Sequence, residues 1–467
     1  MSAAEIRRCF LLPTSALAFA IAITGSACAQ DISSGPLLHD ALGGPDDLVL
    51  AGSVRARYET LGGQARAGFG ASDELISLRT TLLAEYRSNG LRIGAELYDS
   101  RAYASKPGSA IGTGEVNTFE LVQAYIGGEL ADAFGQGSKA SAQLGRFTLN
   151  LGSRRLVAAD DYRNTTNGYT GLRTDLRLSG GTALTAFYTL PQVRLPDGRA
   201  AILDNETQFD RESFDLQLWG GFLSRPRVLG EAMGEVTYVG LHERDSDGRP
   251  TRDRDLHTIG ARLLREPASG KFDHELEGYY QFGSVSEALS STARNLDVSA
   301  WFLHADVGYR FPGSLKARVS VEYDYASGDG PNSSYGRFDT LFGMRRADLA
   351  PAGIYAQIGR ANISTPGLRI EAAPTARIDG FVVYRPMWLA ERSDSFSTTG
   401  VRDNSGRSGS FAGHQVEGRV RYWLVPQILR AEANAAFIAK GRFLESAPNA
   451  PKTGNTRYVS LSLSMQF

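Results

Sequence analysis

Residues 459–467 read Val459-Ser460-Leu461-Ser462-Leu463-Ser464-Met465-Gln466-Phe467, a strict alternation of apolar and polar side chains. Successive side chains of a β-strand point to opposite faces, so this segment carries one apolar face and one small, polar face. A tilted strand of about 9–11 residues is long enough to cross a bilayer. The alternation therefore predicts a β-strand that spans a membrane and ends on an aromatic residue.

A strand of this kind resembles the closing strand of bacterial outer-membrane β-barrels, in which the terminal aromatic residue is an assembly signal. The resemblance implies that Phe467 is recognised by the outer-membrane assembly machinery. It also implies that the lipid bilayer surrounds the protein and that the protein lies in the cell outer membrane of a Gram-negative bacterium.

The N-terminus is typical of an exported protein. Arg7 and Arg8 precede an apolar run over residues 10–23 and the small residues Ala27-Cys28-Ala29, which is the order of regions in a secretory signal peptide. We predict three parts of the chain: a signal peptide over 1–29, a short N-terminal segment over 30–47, and an outer-membrane β-barrel over 48–467.

The composition excludes several classes of protein. Lys and Arg total 50 against 51 Asp and Glu, so net charge gives no reason to expect a nucleic-acid partner. Both cysteines, Cys9 and Cys28, lie in the predicted signal peptide, which leaves no disulfide or zinc framework. The sequence has no phosphate-binding loop, no metal-ligand spacing and no motif that joins a nucleophilic serine to a histidine. We therefore predict no cofactor, no metal site and no catalytic residue.

From residue 48 onward, one unit recurs: a run of alternation followed by a break rich in Gly, Asp, Asn, Ser or Pro. In the first run Val54 and Tyr58 share one face, and Arg55 and Arg57 share the other. We count eighteen such runs, with sixteen as the alternative, because a single-chain barrel closes on an even number. They begin near residues 48, 74, 90, 117, 138, 169, 182, 212, 231, 254, 272, 297, 314, 366, 376, 411, 428 and 457.

Three of these runs differ in how clearly the pattern assigns an apolar face. Leu216 and Leu218 alternate with Gln217, which predicts that both leucines lie on the apolar outer face. Residues 118–127 and 235–241, in contrast, do not choose a face cleanly. The pattern thus predicts orientation for most strands and leaves it open for two.

The predicted fold class is all-β: a transmembrane antiparallel β-barrel of about 18 strands with long extracellular loops. A secreted β-sandwich also has alternating strands. However, apolar faces of Leu, Ala, Gly and Val with Tyr near the ends favour contact with lipid over a packed core. A barrel of this size encloses an aqueous channel. Five long breaks could fold into that channel and narrow it: residues 101–116, 154–169, 191–211, 330–351 and 392–410.

Arginine dominates the basic residues, with 44 arginines against six lysines. A guanidinium keeps its charge and grips carboxylates with a planar fork, and rings of Arg select anions in channels. The excess of arginine also has two simpler causes that stay open: a GC-rich genome favours arginine codons, and Arg and acid side chains pair across strands. The candidate pore or anion-binding residues are Arg55, Arg57, Arg79, Arg92, Arg146, Arg155, Arg163, Arg173, Arg177, Arg318, Arg419 and Arg421.

Two stretches resemble the alginate export family of outer-membrane barrels. The first contains Gly145-Arg146, Leu151-Gly152, Arg155-Leu156-Val157, Asp161-Tyr162-Arg163-Asn164 and Gly171-Leu172-Arg173. The second contains Tyr325-Ala326-Ser327-Gly328-Asp329, Phe338-Asp339 and Leu341-Phe342-Gly343. The chain departs from the family pattern at Phe147 and Tyr162, where the family often has Gln and Trp.

The resemblance implies an 18-stranded porin with an electropositive, arginine-lined conduit. Through it a polyuronate chain of the alginate type, another anionic polysaccharide or a small anionic solute would cross the outer membrane. A general, weakly selective porin is the alternative, and an outer-membrane enzyme or receptor is a further one. The direction of transport stays open.

Overall fold

The computed structural model describes residues 38–39, 43–160, 162–246, 248–290, 292–331, 333–344, 349–351 and 353–467. The predicted signal peptide lies outside these residues, as does most of the segment over 30–47. Asp161, part of the first family stretch, lies outside them too.

Eighteen antiparallel strands form one closed sheet in the described part of the chain. Each strand pairs with its neighbours in sequence, and the first strand also pairs with the last, which confirms the all-β, 18-stranded barrel. The strands are β1 (Leu48–Gly62), β2 (Ser72–Ser88), β3 (Leu91–Tyr103), β4 (Asn117–Ala131), β5 (Lys139–Phe147), β6 (Tyr169–Arg177), β7 (Ala183–Pro191), β8 (Leu216–Leu229), β9 (Ala232–Glu243), β10 (Asp255–Arg265), β11 (Phe272–Ser286), β12 (Asn295–Arg310), β13 (Arg318–Ala326), β14 (Ile363–Thr375), β15 (Ile378–Trp388), β16 (Phe411–Val425), β17 (Leu429–Lys440) and β18 (Thr456–Gln466).

The closure between β1 and β18 is continued by Phe467. Gly52 N donates to the Phe467 carbonyl at 2.7 Å, and Phe467 N donates to the Gly52 carbonyl at 2.9 Å. A side chain at residue 52 would collide with the Phe467 ring, since an added Cβ would lie 2.5 Å from Cε2. The absence of a side chain at residue 52 therefore allows the Phe467 ring to pack against β1.

The two ends of the barrel differ in the length of their connections. Even-numbered strands are followed mostly by short turns, such as Asn89-Gly90 with φ of 48° and 82°, the backbone of a tight hairpin. Odd-numbered strands are followed by the long connections, so all five predicted long breaks leave one end. Two of these connections contain a short helix, Arg199–Leu203 and Arg442–Ser446. In the described residues no helix has the length and apolar character needed to cross a membrane.

The strands carry their charged residues inward. In β1, Arg55 and Arg57 are buried, whereas Val54 and Tyr58 are 37% and 41% exposed. The same alternation holds in β18, where Leu461 and Leu463 are exposed. Because the outside of the barrel is apolar and the inside polar, the alternation follows the division between lipid and lumen.

The ambiguous run over 118–127 contains β-bulges in β4. The register between β3 and β4 shifts between Glu96 and Leu97, so that Val122 has no partner, and shifts again nearer Phe119. An extra residue in one strand changes which face the following side chains occupy. Glu120 and Tyr125 therefore both point inward although they are five residues apart.

The predicted faces of β8 are wrong. Leu216 and Leu218 are buried on the inner face, and Gln217 accepts a hydrogen bond from Tyr188 Oη on the outer face. The leucines belong to the same buried apolar cluster as Leu149 and Leu151 of the β5–β6 connection. The inner wall is apolar here because a connection folds against it, and the same cause accounts for the unclear pattern of β9.

Candidate functional site

The β5–β6 connection, residues 148–168, crosses the inside of the barrel, and we call it the first inward segment. Nearly all of its described residues are buried. Its hydrogen bonds reach β1, β2 and β3 at one side and β11 at the other. Because β11 lies eight strands from β1 in one direction and ten in the other, this segment extends between opposite walls.

Arginines of β1 and β2 hold one part of the first inward segment by its carbonyl oxygens. Arg55 Nη2 donates to the Arg163 carbonyl at 2.5 Å, and Arg57 Nη1 donates to the Tyr162 carbonyl at 2.8 Å. Arg79 Nη1 also donates to the Arg163 carbonyl, at 3.4 Å. These three arginines project inward because they occupy alternate positions of two adjacent strands, with Arg55 opposite Arg79.

The opposite part of the segment is held by carboxylates of β11. Arg155 Nη1 lies 2.8 Å from Glu275 Oε1 and also bonds Glu277. Ser153 Oγ donates to Glu277 Oε1 at 2.8 Å. The contacts on β1 use positive side chains and neutral carbonyls, whereas those on β11 are ion pairs. The segment thus meets arginines that bind its backbone on one wall and carboxylates that bind its side chains on the other.

The β13–β14 connection also folds inward, and we call residues 327–362 the second inward segment; its residues 332, 345–348 and 352 are outside the described part. Tyr355 Oη donates to Gln415 Oε1 of β16 at 2.7 Å, and Gln415 Nε2 donates to the Leu349 carbonyl at 2.8 Å. Gln357 Oε1 accepts from Ala65 N at 3.2 Å, just after β1. This segment thus attaches to the wall formed by β16 and β1.

The two inward segments are joined to each other. Val157 and Phe342 form a parallel β-bridge, with Phe342 N donating to the Leu156 carbonyl at 3.0 Å. Arg360 Nη2 donates to the carbonyls of Arg155 and Met344, at 3.1 and 2.7 Å. Both family stretches contribute to this joint. Together the segments narrow the lumen between the charged walls.

The structure places the twelve candidate arginines in three groups. Arg55, Arg57 and Arg79 bind carbonyls of the first inward segment, as described above. Arg177 is exposed at the end of β6, beside the short turn. Eight take part in ion pairs, and five of them, Arg92, Arg146, Arg318, Arg419 and Arg421, pair with an acid of another strand. The pairs are Arg92 with Glu129, Arg146 with Glu120 and Glu212, Arg155 with Glu275 and Glu277, Arg163 with Asp160, Arg173 with Asp175, Arg318 with Asp273 and Asp306, and Arg419 and Arg421 with Asp379.

Some inward arginines were missed from the sequence. Arg385 of β15 is fully buried, 3.1 Å from Glu322 and 3.6 Å from Asp324. Asp324 also bonds His304 Nδ1 at 2.7 Å. Residues on both faces of β15 around Arg385 are apolar, so alternation does not decide its face; in the structure Arg385 lies opposite the buried Gln415 of β16. Arg345 and Arg346, which follow the second family stretch in the sequence, lie outside the described residues.

The comparisons with known proteins agree with this architecture. The profile of the alginate export family matches residues 46–459, which is most of the chain. The chain belongs to the alginate export family. A comparison with curated proteins found no match to this family member.

Solved structures of outer-membrane porins resemble this alginate export family member in fold. OccK8 (OprE) of Pseudomonas aeruginosa has 11% identity and a TM-score of 0.58, with 90% of this chain and 98% of that chain covered. A BenF-like porin of Pseudomonas fluorescens Pf-5 has 10% identity and a TM-score of 0.56, with coverage of 90% and 99%. OccD3 (OpdP) of Pseudomonas aeruginosa has 12% identity and a TM-score of 0.53, with coverage of 90% and 91%.

Family and fold together make this protein an outer-membrane channel. The bilayer surrounds its apolar outer face, and solutes pass through the barrel. Family and fold are those of porins, which are not enzymes.

Proposed function

We propose that this channel passes anionic saccharides, such as polyuronate chains of the alginate type, or other anionic solutes. Arginines on the inner wall of β1 and β2 would attract the carboxylates of the solute where the inward segments narrow the path. A guanidinium acts strongly on an anion there because a narrow protein channel has a lower dielectric constant than water.

The observation that carries the proposal is the environment of Arg57. Its guanidinium is bound by the Tyr162 carbonyl and lies 4.2 Å from the centre of the Tyr162 ring, and both partners are uncharged. Among the described residues no ion pair joins Arg57 to a carboxylate, and its buried Nε has no hydrogen-bond partner. Arg57 therefore keeps a positive charge that no ion pair cancels, while Glu59 and Glu432 act on it from beyond ion-pair distance.

A relative of similar fold is consistent with a carboxylate as solute. OpdK of Pseudomonas aeruginosa has been solved with vanillate, at 11% identity to this chain and a TM-score of 0.53. Vanillate is a small carboxylate, so this fold accommodates an anion in that protein. The similarity in fold supports small anionic solutes, as well as polyuronates, as substrates of this channel.

A general, weakly selective porin is the second candidate. The ion pairs formed by eight of the twelve arginines favour it, because a paired arginine contributes little net field to the lumen. Selectivity then depends on arginines outside these eight, and Arg57, for which no ion pair is found among the described residues, is the residue to test.

Reversal potentials in planar bilayers distinguish the two candidates. The protein should pass chloride more readily than potassium under a KCl gradient, and Arg57→Gln should lower that preference severalfold while keeping an amide donor for Tyr162. Arg294→Gln is the matched control, since Arg294 is 72% exposed in the β11–β12 connection. Equal permeability to both ions in the unmodified protein would establish the weakly selective porin, as would an unchanged preference in Arg57→Gln.

A further inference from the structure

A cavity separate from the channel lies at the end of the barrel that carries the long connections. It has a volume of about 330 Å³ and lies between the β9–β10 connection and the second inward segment. Leu256, Val285 and Val298 line it and are almost fully buried. Water occupies about 30 Å³ per molecule in the liquid, so this space holds a six-membered ring with its substituents.

The carboxylates that line this cavity are already bound. Arg254 Nε donates to Glu243 Oε2 at 2.7 Å, and its Nη1 donates to Asp339 Oδ2 at 2.8 Å. Arg249 lies 3.1 Å from the other oxygen of Glu243. Gln281 fixes the backbone of Asp339, accepting from its N–H at 3.0 Å and donating to its carbonyl at 3.2 Å. The hydrogen bonds therefore hold the side chains of the cavity wall in position without a ligand.

Arg252 differs from the other arginines of the cavity. Its Nε donates to the Ser286 carbonyl at 2.8 Å, and its guanidinium lies 4.7 Å from the centre of the Tyr335 ring. No ion pair joins Arg252 to an acid within the described part of the chain. Two neutral partners thus orient this guanidinium, and Asp329 acts on it from beyond ion-pair distance. An oriented guanidinium without an ion-pair partner can receive a carboxylate ligand.

We propose that this cavity binds a ring compound bearing a carboxylate, with the carboxylate on Arg252 and the ring against Leu256, Val285 and Val298. An apolar floor suits the C–H face of a pyranose and the face of an aromatic ring alike, so hexuronates and aromatic acids share the chemistry it recognises. The site does not depend on the selectivity proposed for the channel, because it lies apart from Arg57 and can be occupied without transport.

Isothermal titration calorimetry on the purified full-length protein in detergent tests the site with three probes: sodium glucuronate, sodium benzoate and glucose. We expect one or both carboxylates to bind and glucose not to. Arg252→Gln should weaken binding about tenfold, the usual scale of one charge-assisted hydrogen bond. Val298→Phe, which fills the cavity and leaves Arg252 in place, should weaken it too. Arg294→Gln should not change it.

The probes also identify the ligand: glucuronate alone indicates a saccharide site, and benzoate alone indicates an aromatic acid site. Absence of binding by both carboxylates to the unmodified protein would overturn the proposal. So would binding that survives both Arg252→Gln and Val298→Phe. Binding that is lost in Arg57→Gln instead would place the ligand in the channel, which contradicts the cavity and supports the proposed function.

Discussion

Arg360 donates from Nη2 to the carbonyl oxygen of Arg155 at 3.1 Å, although the two residues are 205 positions apart in sequence. One arginine of the second inward segment thus holds the backbone of the first. The same nitrogen donates to the Met344 carbonyl. The width of the channel consequently depends on a contact between two connections as well as on the strands.

Removal of this contact should loosen the constriction. In Arg360→Ala the carbonyls of Arg155 and Met344 lose a buried donor, so the inward segments should separate more readily. Single-channel recordings should show a higher conductance or more frequent current steps. Arg402→Ala is the control, because Arg402 also donates to a carbonyl, that of Ser393, but is exposed. An identical conductance in the two variants would contradict a structural role for Arg360.

Arg155→Ala should lower the free energy of unfolding by about 3 kcal/mol, since it leaves the buried carboxylate of Glu277 without its ion-pair partner. The side chains of Arg155 and Glu277 are 4% and 0% exposed. Arg265→Ala removes an exposed pair with Glu231 and should cost less than about 1 kcal/mol. Urea unfolding in detergent or lipid, followed by tryptophan fluorescence, measures both variants. Similar losses in the two would show that burial of the pair does not matter.

Gly52→Val should impair closure of the barrel. The new side chain would meet the Phe467 ring and the Thr81 carbonyl, both within 3 Å of an added Cβ. Gly62→Val lies on the same strand, where an added Cβ meets nothing within 4 Å, and should assemble normally. The heat-dependent shift in gel mobility measures the folded fraction of each. Equal folded fractions in the two variants would show that packing of the Phe467 ring against residue 52 is not required for closure of the barrel.

The docking of the β7–β8 connection, residues 192–215, should weaken as pH rises. Burial and the nearby Glu120 raise the pKa of Asp210 to about 7, while Asn117 Nδ2 donates to Asp210 Oδ1 at 2.7 Å. An acid whose pKa is higher when docked binds its proton more tightly in that state, so docking loses stability between about pH 4 and 7 and is weakest above.

Hydrogen exchange of this connection, corrected for the intrinsic rate, should therefore be slower at pH 6 than at pH 8. Asp210→Asn should abolish the difference, because an amide does not titrate. Asp204→Asn should preserve it, because Asp204 is exposed in the same connection. A pH dependence that persists in Asp210→Asn would assign the effect to another group.

Strand positions can be predicted from the sequence because side chains that face lipid are apolar and side chains that face the lumen are polar, which produces an alternating pattern along each strand. Predicted starts lie within four residues of the observed ones, with the largest displacements at Leu216 and Arg318. The failures have two physical causes. Bulges in β4 change the face of Glu120 relative to Tyr125, and apolar residues such as Leu218 point inward because a connection covers them.

The candidate site could be predicted only in part. Alternation gives the inward direction of Arg55, Arg57 and Arg79, but it does not give the partner of any of them. Arg57 binds the carbonyl of Tyr162, 105 residues away, and a backbone carbonyl has no sequence signature. For Arg385, which binds acids of β13, the pairing of β14 and β15 with their neighbours decides the contact.

The pairing of β1 with β18 joins residues about 400 positions apart, such as Arg57 and Ser462. Every other ladder of the ring links strands that are consecutive in the chain. Contacts of long sequence separation form late, because the entropy of a large loop opposes them. Until that seam forms, β1 and β18 each present an unpaired strand edge, which is a template for pairing with another chain. The interval before closure is therefore when this protein is most exposed to aggregation, and a chaperone that covers the two edges would act on that step.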